Sequence, residues 1–268
     1  MTELIDSHSH LDVAEFDSDR AEVLKRAQAA GVNQQVVPAI RRSGWSALRE
    51  LCSTHAGLHP AYGLHPMFLQ DHKARDLEAL AAIVEEAKPV AVGECGLDFF
   101  VEGLDREDQY FYFMRQLELA RERDLPVIVH ARRAFDEVTA AFRRIGRLRG
   151  VVHSFSGSAR QAEQLWKLGF SLGIGGPVTY PRARRLREIV AGMPEEFLLL
   201  ETDSPDQPLC GHQGERNEPA FLVDVLETVA ALRGESEQEV AATTSRNARR
   251  LFNLPDVAAV VPAQAGTR

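Results

Sequence analysis

Along the chain, short apolar runs alternate with longer stretches in which apolar residues recur every three or four positions. The runs fall at 4–5, 35–38, 60–63, 89–93, 126–129, 150–152, 170–174 and 197–200, and each predicts a strand. Between them the spacing predicts helices. Within 19–30, Val23, Leu24, Ala27 and Ala30 share a face, and within 106–123 Tyr110, Phe113, Met114, Leu117 and Ala120 do the same. Similar patterns occupy 43–54, 76–87, 135–144, 159–168, 183–191 and 217–232. Strands alternating with helices in this number predict an α/β protein with a parallel sheet closed into a (β/α)8 TIM barrel. The structural alternative is an open doubly wound sheet. That fold normally carries a glycine-rich phosphate loop after its first strand, where this chain has "DSHSHLD".

No repeat or linker divides the chain, so residues 1–254 are expected to form one domain, closed by a last helix over 235–253. The segment 255–268, "PDVAAVVPAQAGTR", is rich in small residues and predicts a poorly ordered tail. At 44% hydrophobic, the 268 residues can build a substantial core. No apolar run is long enough to span a bilayer, and the N-terminus lacks the layout of a signal peptide. Cys52, Cys95 and Cys210 form no CxxC, which argues against a disulfide framework and for a cytoplasmic location.

A net charge of −8 argues against a protein that coats nucleic acid non-specifically, but it leaves room for a local cationic site built on bound metal. Aromatic residues are 7% of the chain and form no basic, aromatic-rich stripe, so only a short, end-bound strand is expected. "YPRARRLR", at 180–187, could border such a path. A monomer without membrane contact is expected.

In a (β/α)8 barrel the reactive groups follow the C-terminal ends of the strands. His8 and His10 come after the first predicted strand, and their spacing turns both rings to one side of an extended segment. Glu94 closes the fourth, His130 the fifth, His153 the sixth and Asp203 the eighth. Any one of these alone reads more readily as a structural residue. Four of only nine histidines converging with two carboxylates do not. Imidazole and carboxylate suit zinc, manganese, iron or nickel, with magnesium tolerated. Six donors exceed the needs of one catalytic ion, so two are expected, about 3.5–4 Å apart and bridged by a carboxylate. Asp203 is the candidate general base. Arg132 is placed to reach a phosphate or to pair with Asp136, and His65 to bind substrate or protonate a leaving oxygen. Asp98 is expected to orient a ligand, Cys95 to point away from the metals, Asp12 to brace its loop and Ser9 to face away.

The motifs "HSHLD", "GLHP", "GECGLDF", "PVIVHARRAFDE", "HSFSGS" and "ETDSPDQPL" resemble, in order and context, the TatD family of metal-dependent hydrolases of the amidohydrolase superfamily. The resemblance covers roughly residues 3–253. It implies that one metal position takes His8, His10, Glu94 and Asp203, and that a second shares Glu94 and adds His130 and His153. The implied cofactors are two divalent ions (Zn, Mn or Mg). The implied activity is a deoxyribonuclease or phosphodiesterase acting on DNA. An ester or amide hydrolase, such as an aminoacyl-tRNA deacylase, is the alternative, because fold and metal set do not fix the substrate. Intact ligands disfavour a non-enzymatic scaffold.

Overall fold

A computed structural model describes residues 3–256. Eight parallel strands follow one another in sequence order around a barrel: β1 Leu4–Asp6, β2 Val32–Pro38, β3 Leu58–Tyr62, β4 Ala91–Asp98, β5 Val127–Arg132, β6 Gly150–Val152, β7 Phe170–Ile174 and β8 Leu198–Leu200. Hydrogen bonds from Ser7 N–H to Leu200 O (3.0 Å) and from Asp203 N–H to His8 O (2.9 Å) join the last strand to the first. The helices form the outer ring: α1 Arg20–Ala29, α2 Trp45–Thr54, α3 Arg75–Ala87, α4 Arg106–Glu122, α5 Phe135–Ile145, α6 Ala159–Lys167, α7 Arg184–Gly192, α8 Leu222–Arg233 and α9 Glu237–Phe252. This is the (β/α)8 barrel that the alternation predicts. Most of the segment 255–268 lies outside the described residues.

Strands buried on both faces split their side chains between two cores. Val37, Leu198 and Leu200 point outward to the helices. Their neighbours Val36 and Leu199 point inward, joining Ile5, Ala61, Ala91, Ile128 and Val151 in a smaller interior cluster. Ala248, Phe252 and Leu254, at the end of α9 and just beyond it, close that cluster at the bottom of the barrel. Buried helix faces match the predicted periodicity. On α5, Val138, Ala141 and Phe142 are buried while Arg143 and Arg144 close the last turn. Ser158 and Ser236 form capping boxes with Gln161 and Glu239, which fix where α6 and α9 begin.

Four elements run differently from the apolar pattern. β2 starts at Val32, three residues early, because the buried Gln34 is satisfied: its Oε1 accepts from His59 Nε2 (2.8 Å) and its Nε2 donates to Pro255 O (3.0 Å). β4 continues to Asp98 and β5 to Arg132, since their pairing persists through Gly96 opposite His130 and Asp98 opposite Arg132. Glu94 and His130 therefore lie inside their strands rather than closing them. α8 starts at Leu222, not 217, because Pro219 holds Glu218 extended (φ −148°, ψ 158°) and a short 3-10 turn intervenes.

Candidate metal centre

The six predicted donors meet at the C-terminal mouth of the barrel, around one carboxylate. Glu94 is fully enclosed, and its two oxygens face different partners. Oε2 lies 3.2 Å from His8 Nε2 and 3.4 Å from His10 Nε2. Oε1 lies 2.7 Å from His153 Nε2 and 3.3 Å from His130 Nδ1. Asp203 Oδ1 completes the Oε2 side, 3.5 Å from His8 Nε2 and 3.6 Å from His10 Nε2. The ring nitrogens within each half also face each other, at 3.2 Å for His8 and His10 and 3.4 Å for His130 and His153. Two neutral imidazoles cannot both present lone pairs at such distances without a cation or a proton between them. These donors therefore fit divalent metal, and the carboxylate faces both halves of the cluster.

Local structure fixes each donor. β1 ends at Asp6, whose Oδ1 accepts from the backbone N–H of His8 (3.1 Å) and of Thr202 (3.0 Å) while Oδ2 accepts from the Thr202 hydroxyl (2.6 Å). One carboxylate thus ties the end of the first strand to the segment that carries Asp203. Burial pushes the Asp6 carboxyl up to about 7. His10 Nδ1 faces Pro38 O at 3.1 Å, so it carries the proton and leaves Nε2 free to ligate. His130 is held the other way round: its Nε2 faces Asp98 Oδ2 (2.9 Å) and Nδ1 turns to Glu94. Asp98 itself accepts from Phe100 N–H (2.8 Å) and Val101 N–H (3.0 Å). Burial raises the Asp98 carboxyl, but these bonds and His130 outweigh it and bring it down to about 2.

His65 belongs to the same cluster. Its Nδ1 accepts from Met67 N–H (3.1 Å), which leaves the proton on Nε2, directed at Glu94 Oε1 (3.0 Å). Burial, opposed by the Glu94 charge, brings the ring down to about 4, so it stays neutral. Both nitrogens are engaged, which leaves no lone pair for a metal. Burial raises Glu94, yet the surrounding imidazoles hold it well below the usual carboxylate range. For Asp203, burial outweighs the attraction of His153 and His10 and leaves the carboxyl at about 6. Gln207 Nε2 donates to Asp203 Oδ2 and to the Ser154 hydroxyl (2.7 Å), so Oδ1 alone faces the site.

Glu201 is a site residue that motif reading overlooks. Its Oε1 accepts from Ser154 N–H at 2.5 Å and lies 3.7 Å from His153 Nδ1. Glu201, His8 and His153 present a further set of closely spaced donors. A Cβ at Gly173 would fall 1.9 Å from Glu201 Oε2, so the residue at that position of β7 must be glycine to admit the carboxylate. The signal was present: Leu199 faces inward, and two-residue alternation turns Glu201 the same way. Cys95 is buried, with Sγ directed to Ile128 O (3.8 Å), and is in none of these donor sets. Arg132 lies at the rim, its guanidinium 3.8 Å from the centroid of the Phe100 ring. Asp136, its expected partner, instead accepts from Gln161 Nε2 (3.0 Å).

Histidine and carboxylate donors at the open end of a (β/α)8 barrel define a metal-dependent hydrolase. The chain belongs to the TatD family of these enzymes, since the model for the TatD related DNases matches residues 5–253. The uncharacterized metal-dependent hydrolase YjjV of Escherichia coli K12 is 42% identical over 254 residues, covering 94% of this chain and 98% of the relative. A crystal structure of YjjV superposes with a TM-score of 0.91 at 41% identity, over 95% of this chain and 99% of that one. The 3'-5' ssDNA/RNA exonuclease TatD of Erwinia tasmaniensis is 35% identical over 268 residues, covering 94% of this chain and all of the relative (100%).

Proposed function

We propose that the protein is a two-metal phosphodiesterase that hydrolyses short single-stranded DNA from an end. The observation that carries this reading is the division of Glu94, with Oε2 toward His8 and His10 and Oε1 toward His130 and His153. His8, His10, Glu94 and Asp203 would hold one divalent ion, and Glu94, His130 and His153 the other. Bound there, zinc, manganese or magnesium would polarise a phosphoryl oxygen and acidify a water at neutral pH.

The chain supplies the rest. Asp203, whose Oδ1 faces the site while Gln207 holds Oδ2, takes the proton of the attacking water. Gln207 and Glu201 keep Asp203 and His153 from turning away. His65 donates to Glu94 and so holds the bridging carboxylate in register, while Arg132 at the rim meets a phosphate. The relative named as an ssDNA/RNA exonuclease supports this substrate class.

Metal-loaded protein incubated with labelled single-stranded DNA, RNA and aminoacyl-tRNA tests the proposal. Release of nucleotides from DNA, lost in Glu94→Ala, is the expected result. No cleavage of nucleic acid with Mg²⁺, Mn²⁺ or Zn²⁺, beside rapid ester hydrolysis, would overturn it in favour of the ester-hydrolase reading.

A further inference from the structure

Beside the metal centre, the segments that follow β4, β5 and β6 enclose a cleft of about 610 Å³ together with the start of α7. It is lined by Phe100, Arg132, Arg133, Ser156, Ser158 and Arg185, with Asp136 and Glu137 on the α5 side. Phe100 is 44% exposed, a large apolar ring left open on an otherwise polar rim. Its ring carries two guanidinium groups, Arg132 at 3.8 Å and Arg133 at 4.6 Å from the centroid. Arg133 reaches this place with φ at 55°, in the left-handed region that a non-glycine residue adopts at a cost. Arg185 spends one N–H on Ser156 O (2.9 Å) and keeps the others. Among the described residues, none of these three arginines has a carboxylate within ion-pair distance.

A second cationic cleft on the same face behaves differently. There the two arginines that follow β2 are each paired, Arg41 with Asp71 (3.3 Å) and Arg42 with Asp76 (2.7 Å), beside Lys73 and Arg75. At Phe100 none of the three arginines is paired among the described residues, and Asp136 and Glu137 stand on the α5 side. Stacking covers the flat face of a guanidinium and leaves its edge donors free, the arrangement suited to bidentate capture of a phosphate.

We propose that this cleft is a second phosphate subsite, in which Phe100 positions Arg132 and Arg133 against Arg185 to hold the phosphodiester next to the one being cleaved. The inference rests on the phosphodiesterase reading and deepens it: the preferred substrate is an oligonucleotide carrying at least one phosphate beyond the scissile one.

The test is binding of fluorescein-labelled dT4 to the metal-loaded full chain, followed by anisotropy, with cleavage of dTpdT and dTpdTpdT measured in parallel. Arg133→Ala/Arg185→Ala should weaken dT4 binding by at least about tenfold, as loss of charge-assisted hydrogen bonds implies, and should flatten its salt dependence. Phe100→Leu should weaken binding severalfold and Phe100→Tyr should restore it, a rescue that loss of packing alone would not give. Phe111→Ala removes an equally exposed aromatic on α4, outside the cleft, and should bind as the parent does. Cleavage of dTpdTpdT should exceed that of dTpdT through KM rather than kcat, and the double variant should abolish the gain. Unchanged dT4 binding in the double variant overturns the subsite even if DNA is cleaved. Weakened binding without cleavage of either substrate keeps the subsite and overturns the phosphodiesterase reading.

Discussion

At the bottom of the barrel interior, Ile5, Val36, Ala61, Ala91, Ile128, Val151 and Leu199 meet Phe252 and Leu254 in a dry apolar plug. A few residues further along the same chain segments, His8, Glu94, His130, His153, Glu201 and Asp203 fill the other end. At the bottom, each side chain stabilises the fold by leaving water, at roughly 25 cal/mol per Å². At the top, each group loses hydration and regains it only through its neighbours, so the cluster stabilises nothing unless it is complete. One end makes the barrel stand and the other makes it bind. Variants at the two ends should therefore separate stability from metal binding.

The largest effect is expected at Glu94. Glu94→Gln should reduce bound metal at both positions and lower hydrolysis by roughly a thousandfold or more, with the barrel still folded. Elemental analysis and circular dichroism check this, and full metal content in the variant would remove Glu94 as the bridge. Phe252→Ala tests the opposite end. It should cost about 3–5 kcal/mol in denaturant unfolding while metal per folded molecule stays at the parent value.

His59, near the lower end of β3, links the comparison to pH. Burial brings its ring down to about 4 against an ordinary 6.5. Its share of stability is whole above pH 6.5 and is lost as pH falls toward 4, about 3 kcal/mol in all. His59→Gln should flatten the stability curve across that window, and an unchanged slope would show that His59 is not an acid liability. Asp98→Asn should have the mildest effect, weakening metal by about tenfold to a hundredfold at the His130–His153 half alone. Calorimetric titration resolving two sites would read it, and equal weakening at both would mean that the halves are not independent.

Much of this was legible in the sequence because apolar runs and donor residues obey the same geometry. The eight runs located every strand, and β6 and β7 match to the residue. The other five predicted donors gather around Glu94. What escaped the pattern was polar and buried. Gln34 hid the start of β2 because a glutamine inside a strand is tolerable only with partners such as Glu3, His59 and Pro255. Glu201 escaped because the adjacent Asp203 looked sufficient, and only the space left by Gly173 reveals that a second carboxylate is accommodated. The Phe100 cleft combines four segments spread between Phe100 and Arg185, a proximity that no local motif records.

The bond from Asp6 to Thr202 joins residues 196 apart in sequence, and the Oε2 half of the centre draws His8 and His10 from just beyond β1 and Asp203 from beyond β8. That half cannot exist until the two ends of the chain have met, whereas Glu94, His130 and His153 come from three consecutive strands. If each half holds an ion, as proposed, a refolding chain should take up its first ion early and its second only when the ring closes, the late step carrying the larger loop-closure entropy. Stopped-flow refolding with a zinc-sensitive dye would show two uptake phases, the slower coincident with the return of native tertiary signal. The second ion would then act as a clasp, registering that synthesis of the barrel has run to its end.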